Sequence, residues 1–352
     1  MQLRVLVVDD STLMRRLIKD ILAADPTIEV IAEAPEGMTA LQLIHDLHPD
    51  VVTLDVEMPG MSGLEVLGYI MSEIPTPVVI LTGMRDPDLA VQALALGAVD
   101  FMRKPSGTIS VDLYKVGEEL IQKVKAAPLA NLRQLRRGVE RLLPPQKEDA
   151  TKAAPSKETP GWAVVIGAST GGPQALVQLL SDVPEGLPAG FLVVQHMPPG
   201  FTQSLARRLN ESSALTVVEA EEGMPFYAGW AYLAPGGHHL ALQKSKRAKT
   251  ATVHLDDSPP RGTLRPAADV TMAAAATSFG SHTVGVLMTG MGSDGTEGFQ
   301  AIRQAGGRTI AQDRHTSLIY GMPRVVTEQG LVDQVLGLEE IAGAIAVIVS
   351  EK

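Results

Sequence analysis

From Leu3 to Val124 short, β-branched apolar runs alternate with segments of helical period. The runs are Val5–Val8, Val30–Ala32, Val51–Leu54, Val78–Leu81 and a last one at Phe101. Leu13–Leu22, Thr39–Leu47, Leu64–Ile70 and Leu89–Leu96 lie between them, and Val111–Val124 follows. Consecutive strands separated by a helix must run parallel and cross over with one hand, so the pattern predicts a five-stranded parallel sheet wound on both faces. The alternation resumes after residue 160. Ala163–Ile166, Phe191–Val194 and His282–Met288 read as strands, and Ala175, Leu176, Leu179 and Leu180 fall on one helical face between the first two. A chain of 352 residues has room for two domains. The expected division is 1–125, a linker over 126–160, and 161–352. Within the linker Leu129, Leu132, Leu135, Val139 and Leu142 recur at helical spacing beside Arg133, Arg136, Arg137 and Arg141. They predict an amphipathic helix, ended by Leu143-Pro144-Pro145, and the Lys, Glu, Ala, Ser and Pro of 146–160 predict a tether.

Composition removes several classes of function. A net charge of −10 and an aromatic content of 4% argue against nucleic-acid binding, which needs basic surface and stacking rings. With no cysteine there is no disulfide, thiolate nucleophile or cysteine-ligated metal. The first strand starts at Leu3 with no signal peptide before it, and no apolar run reaches the ~18 residues that span a bilayer. The expectation is a cytoplasmic protein with no direct membrane insertion.

In the first domain acidic residues follow the strands: Asp9-Asp10 after the first and Asp55 after the third. Taken singly, such an Asp serves equally well as a helix cap. Together at one sheet edge they repel, by about 4 kcal/mol for two unit charges ~4 Å apart at an effective dielectric of 20. The cluster needs a cation, and a hard site with few protein ligands suits Mg²⁺. Thr82 after the fourth strand adds a hydroxyl, and Lys104 a fixed positive charge. Val7-Val8-Asp9-Asp10-Ser11, Leu54-Asp55-Val56-Glu57-Met58-Pro59-Gly60, Leu81-Thr82-Gly83 and Gly97 to Pro105 resemble a two-component receiver domain, which has a flavodoxin-like fold. The resemblance implies that Asp55 accepts a phosphoryl group from a chemosensory histidine kinase. It further implies that Asp9, Asp10, Asp55 and the backbone carbonyl of Glu57 hold Mg²⁺. Thr82 and Lys104 would contact the phosphoryl group, and Phe101 would move with the phosphorylation state.

In the second domain Gly167-Ala168-Ser169-Thr170-Gly171-Gly172 turns a strand into a helix. Ser169 thus sits at a strand's carboxyl end, where α/β sheets place their ligands, and the pattern fits a nucleophile elbow. A phosphate loop or a plain tight turn would read the same way. His196 follows the next strand, and Thr289-Gly290-Met291-Gly292-Ser293-Asp294-Gly295 follows a later one. A nucleophile, a base and an orienting carboxylate therefore all stand at strand ends. The chain order Ser, His, Asp differs from that of the α/β-hydrolases. Ile166 to Gly172, Gln195 to Thr202, Leu233 to Gly236, Arg265-Pro266, Thr289 to Gly295 and Tyr320 to Arg324 resemble the chemotaxis methylesterases of CheB type. With the receiver in front, this resemblance covers nearly the whole chain outside the linker. It implies a doubly wound α/β serine-hydrolase domain in which Ser169 attacks glutamate γ-methyl esters on chemoreceptors, releasing methanol. His196 would act as base and then acid, with Asp294 orienting it. Met291 N–H and Thr170 would serve the oxyanion, and Arg265 the substrate. Family members often also deamidate receptor glutamines, and the unphosphorylated receiver is expected to cover the esterase site. Where the family commonly carries a Ser after Arg-Pro, Ala267 and Ala268 precede Asp269 here. His238, His239, His254 and His315 lack metal-ligand spacing and read as surface or loop residues.

Two other readings compete. A nucleotide-binding module with Gly167 to Gly172 as its loop requires an acidic residue about 20 residues on, where Gln195-His196 stand instead. A non-enzymatic response regulator would have no use for a complete triad.

Overall fold

The computed structural model describes residues 2–83, 87–104, 111–131, 157–244 and 251–351. The expected linker helix and most of the tether lie outside the described residues. The chain divides into two units, Met1–Gln146 and Lys147–Lys352.

The first unit carries strands β1 (Leu3–Val8), β2 (Ile28–Ala34), β3 (Val51–Asp55), β4 (Val78–Thr82) and β5 (Asp100–Arg103). All pairs are parallel, in the order β2-β1-β3-β4-β5. Helices α1 (Thr12–Leu22), α2 (Gly37–Leu47), α3 (Gly63–Glu73), α4 (Pro87–Ala95) and α5 (Val111–Ala126) alternate with them. Strands β3 and β4 are buried at every position, as helices on both faces require. Local signals set the helix starts. Ser11 caps α1 through Met14 N–H, and Ser62 and Glu65 form a capping box on α3. Strand order reverses between β1 and β3, so the residues after them face one crevice.

The second unit holds a parallel seven-stranded sheet of β6 (Trp162–Ala168), β7 (Ala189–Gln195), β8 (Thr216–Glu219), β9 (Trp230–Leu233), β12 (Thr283–Leu287), β13 (Arg308–Gln312) and β14 (Gln334–Leu336). Their order is β14-β13-β12-β6-β7-β9-β8. An antiparallel hairpin, β10 (His239–Lys244) and β11 (Ala251–Asp256), stands apart. The helices are α6 (Gly172–Asp182), α7 (Phe201–Ser212), α8 (Ala268–Phe279), α9 (Thr296–Gln304), α10 (Met322–Glu328) and α11 (Leu338–Ser350). Right-handed crossovers that leave β6 and β12 in opposite directions put α6 and α9 on opposite faces. On the α9 side, Ala163 and Val165 of β6 and Leu192 and Val194 of β7 join Met272, Phe299, Leu240 and Val253 in one core. The period of two along both strands is what a sheet face demands. Each fully buried Val, Leu or Phe contributes about 1.5–3 kcal/mol. The second reversal of strand order falls between β6 and β12.

The structure extends the sequence reading and corrects it in places. Strands β8, β9, β13 and β14 are three to five residues long, too short for a period to be read. His282 belongs to a 3-10 turn, and its strand begins at Thr283.

Candidate active site

Strand β6 ends at Ala168, and Ser169 makes the turn into α6. Its N–H donates to Thr289 O (3.0 Å), and its carbonyl accepts from Gly172 N (2.7 Å) and Gln195 Nε2 (2.9 Å). The main chain of the turn is therefore held at both polar atoms. Ser169 itself is half-buried, and among the described residues its Oγ has no hydrogen bond. Gly290 runs directly against it. A Cβ at 290 would lie 2.7 Å from Ser169 Cβ and 2.5 Å from Met322 Sδ, so a glycine is needed for the β12 loop to approach this closely.

His196 follows β7, the neighbour of β6, and its N–H donates to Ala168 O at 3.1 Å. Its ring Nε2 meets Asp294 Oδ2 at 2.7 Å. Asp294 is 8% exposed and accepts three further bonds, from Ala268 N at 2.6 Å, Asp269 N at 3.0 Å and Gly295 N at 3.0 Å. Two of these donors open α8, whose N-cap residue Ala267 makes no side-chain cap. Asp294 supplies the missing acceptor from another loop, and the positive end of the helix favours its charge. Burial pushes the Asp294 carboxyl up, but the bond and charge of His196 and the backbone N–H groups outweigh it, and the net shift is downward. Asp269 goes the other way. Burial raises it and the Asp294 charge adds to that, while a 2.8 Å bond from Gly298 N opposes.

The remaining residues singled out in this unit fall around the same loops. Met291 N–H has no acceptor among the described residues. Thr170 is buried, and its carbonyl accepts from Thr289 Oγ1 at 2.9 Å. Arg265 Nη1 donates to the carbonyls of Asp257 (3.2 Å) and Ser258 (3.3 Å), bracing that loop. His239 corrects the sequence reading. It is fully buried at the start of β10, with Nδ1 accepting from Ala267 N (3.2 Å) and Nε2 facing Pro259 O (3.3 Å). Its ring is buried because both nitrogens have backbone partners. His315 is exposed, and His238 and His254 lie beside Asp257 and Glu222.

In the first unit Asp9, Asp10 and Asp55 bring one carboxylate oxygen each within 4.8 Å of one another. Ser11 N donates to Asp9 Oδ1 (2.9 Å) and Glu57 N to Asp55 Oδ1 (3.1 Å). Lys104 Nζ lies 2.7 Å from Asp9 Oδ2 and 2.5 Å from Asp55 Oδ2. Burial pushes Asp55 up to about 6 against the pull of Lys104, and the charge of Asp9 adds to the rise. Burial works against the charge on Lys104, yet the two aspartates raise it overall. Thr82 is buried at the end of β4 with Oγ1 donating to Gly83 O (3.3 Å), and Phe101 is buried on β5. Three hard carboxylate donors at this spacing fit a small divalent cation.

Sequence reasoning missed the backbone donors of Ala268 and Asp269, because the main chain leaves no composition signal. It also passed over Thr289 and Gln312. Thr289 N donates to Gln312 Oε1 (2.8 Å), and its hydroxyl accepts from Ile319 N (3.0 Å). The pair thereby holds the β12 loop against Ser169. Their strand-end positions were the available signal.

A receiver-domain family model matches residues 5–112, and a model described as CheB methylesterase matches residues 164–345. Fold and sites thus define a class, a response regulator whose second domain is an α/β hydrolase. The chain is 47% identical over 342 residues to a protein-glutamate methylesterase/protein-glutamine glutaminase of Pyrococcus horikoshii, covering 97% of this chain and 92% of that one. A protein of the same description from Symbiobacterium thermophilum is 46% identical over 359 residues, 99% of this chain and 98% of the relative. The crystal structure of the Thermotoga maritima CheB methylesterase catalytic domain matches with a TM-score of 0.52 and 44% identity, covering 53% of this chain and 98% of that domain. The chain belongs to the CheB methylesterase family. The resemblance drawn from the motifs holds, as do the two expected sheets. Among the described residues no helix is long and apolar enough to cross a membrane.

Proposed function

We propose that this chain removes methyl groups from glutamate γ-methyl esters of chemoreceptors, and deamidates receptor glutamines, under control of phosphorylation at Asp55. The observation that carries the chemistry is the 2.7 Å bond between His196 and Asp294, two strand ends that flank Ser169. Asp294 stays ionised and holds the imidazole with Nε2–H toward itself, so Nδ1 is the nitrogen that exchanges protons. Ser169 Oγ bonds to the ester carbonyl carbon as its proton passes to His196. The oxygen that becomes negative is stabilised by Met291 N–H, whose lack of an acceptor among the described residues supports this role, with Thr170 beside it. Collapse breaks the bond to methoxide, which leaves as methanol with the proton from His196. Water then attacks the acyl carbon, gives its proton to His196, and Ser169 departs with it to leave a free glutamate. With a glutamine side chain the leaving group is ammonia. Arg265 serves substrate binding through the loop it braces.

In the receiver, Asp9, Asp10, Asp55 and the Glu57 carbonyl would hold Mg²⁺, which supplies positive charge to an incoming phosphoryl group. Asp55 is the acceptor, a histidine kinase the donor, Thr82 and Lys104 the contacts to the phosphoryl oxygens, and Phe101 the ring that responds. Working boundaries are 1–125 for the receiver, 126–160 for the linker and 161–352 for the hydrolase, in the cytoplasm. A fluorophosphonate probe tests the nucleophile. Peptide mapping is expected to find the adduct on Ser169 and none on a Ser169→Ala chain. An adduct on another serine overturns the assignment.

A further inference from the structure

Gln195 closes β7 and precedes the base. It is 3% exposed, so it meets no substrate. Its carboxamide NH₂ donates one hydrogen to Ser169 O at 2.9 Å and the other to His196 O at 3.2 Å. One side chain thus ties together the backbones of the two residues that exchange a proton. The oxygen of the same amide, Oε1, is buried and has no hydrogen-bond partner among the described residues, which ordinarily costs about 1–3 kcal/mol. It rests over Gly172, where a Cβ would lie 1.9 Å from Oε1 and 2.8 Å from Ala168 Cβ. Resting on the proposed triad, we infer that Gln195 is a positioning residue that sets the separation of Ser169 and His196 through their main chains, with Gly172 as its seat.

The chemistry of the side chain narrows the alternatives. Two donors on one nitrogen are what two carbonyls require, and among residues of this length only an uncharged amide provides them. Glutamate presents acceptors alone, and methionine fills the space with neither. The orphaned oxygen follows from the same geometry, since an amide that turns its NH₂ to both carbonyls must point its oxygen at the start of α6. Gly172 has no side chain because the amide occupies that volume. The second glycine of Ser169-Thr170-Gly171-Gly172 is therefore part of the clamp, which no phosphate-loop reading of the motif requires. Misplacing reacting groups by about 1 Å can cost ~10²-fold in rate, and a buried residue that never touches substrate acts on turnover and leaves binding alone.

The test uses the full chain with phosphodonor, comparing Gln195→Met, Gly172→Ala and Ser169→Ala with the wild type. Methanol release from methylated receptor membranes gives kcat and KM, a fluorophosphonate gives the rate at which Ser169 Oγ is phosphonylated, with loss of fluoride, without any receptor, and Tm reports the fold. A Thr309→Val chain, altered in a buried hydrogen-bonded threonine on β13, shows what destabilisation alone does. Gln195→Met and Gly172→Ala are expected to lose ~10²-fold in both kcat and phosphonylation rate with KM nearly unchanged, whereas Thr309→Val lowers Tm and keeps kcat. Wild-type kcat in Gln195→Met overturns the inference, as does an equal loss in Thr309→Val. If Gln195→Met fails to fold, Gly172→Ala decides, since it retains every hydrogen-bonding side chain and differs by one methyl group. Full kcat there overturns the clamp. Activity surviving in Ser169→Ala would instead remove the triad itself, a result separate from any failure of Gln195.

Discussion

Asp294 shows how much one carboxylate does in this site. It faces His196, ends the unsatisfied donors of α8 and is held ionised by all of them. Replacing Ser169 with Ala removes only a hydroxyl and is expected to abolish methanol release with Tm unchanged. Asp294→Asn is expected to cost ~10⁴ in turnover, as the same loss does in other triads, and steady-state kinetics on receptor membranes measures it. The two neighbouring aspartates also set opposite pH dependences. Asp269 has its carboxyl raised by burial, so its ionised form works against the fold. That cost fades as pH falls through the raised pKa toward the ordinary 3.8, and stability gains over this window. Asp294 is lowered, so its contribution is present above 3.8 and is lost only as pH falls below it. Denaturant midpoints between about pH 7 and pH 4 are expected to rise for the wild type relative to Asp269→Asn. Parallel curves for the two chains would contradict the assignment.

At the scale of elements, Ser169, His196 and Asp294 each lie in the loop that follows a parallel strand. Ser169, His196 and Asp294 could be read in the sequence because each follows an apolar run at a turn, and the resemblance to a family then tied the three together. The partners that hold them could not be read so directly. Gln195 works on carbonyls, Ala268 and Asp269 work through backbone N–H groups, and none of these interactions needs a distinctive residue spacing. His239 looked like a loop residue because its two hydrogen-bond partners are main-chain atoms 20 and 28 positions away. The capping of α8 from outside its own sequence gives an element-scale prediction. Asp294→Ala leaves the N–H groups of Ala268, Asp269 and Gly295 without their acceptor and is expected to cost about 0.5–2 kcal/mol, the usual price of a lost N-cap. Asp294→Asn, which keeps a side-chain oxygen, should retain more of that stability in the same denaturation experiment. In the receiver, Asp55→Asn is expected to eliminate Mg²⁺-dependent labelling by a small phosphodonor, while Lys104→Ala still takes label but no longer passes the signal on. Undiminished label on the Asp55→Asn chain would move the acceptor elsewhere.

Across the whole molecule, the proposed function joins phosphorylation of Asp55 in one unit to hydrolysis in the other. A shift between about 1:99 and 99:1 in the active population requires the two receiver states to differ by roughly 5.5 kcal/mol in their preference for it. If the unphosphorylated receiver restrains the hydrolase, residues 161–352 alone should release methanol faster than the unphosphorylated full chain and ignore phosphodonor. The Thermotoga maritima CheB methylesterase catalytic domain has a crystal structure of its own. Equal rates for fragment and unphosphorylated chain would mean that the receiver activates by some other route. Methanol release from methylated receptor membranes by the full chain, with and without phosphodonor, beside Ser169→Ala and Asp55→Asn, tests the proposed function as a whole. Release is expected to be accelerated by phosphodonor in the wild type, to stay at a basal rate indifferent to phosphodonor in Asp55→Asn, and to be absent from Ser169→Ala in either condition. Methanol released by Ser169→Ala at the wild-type rate would contradict it.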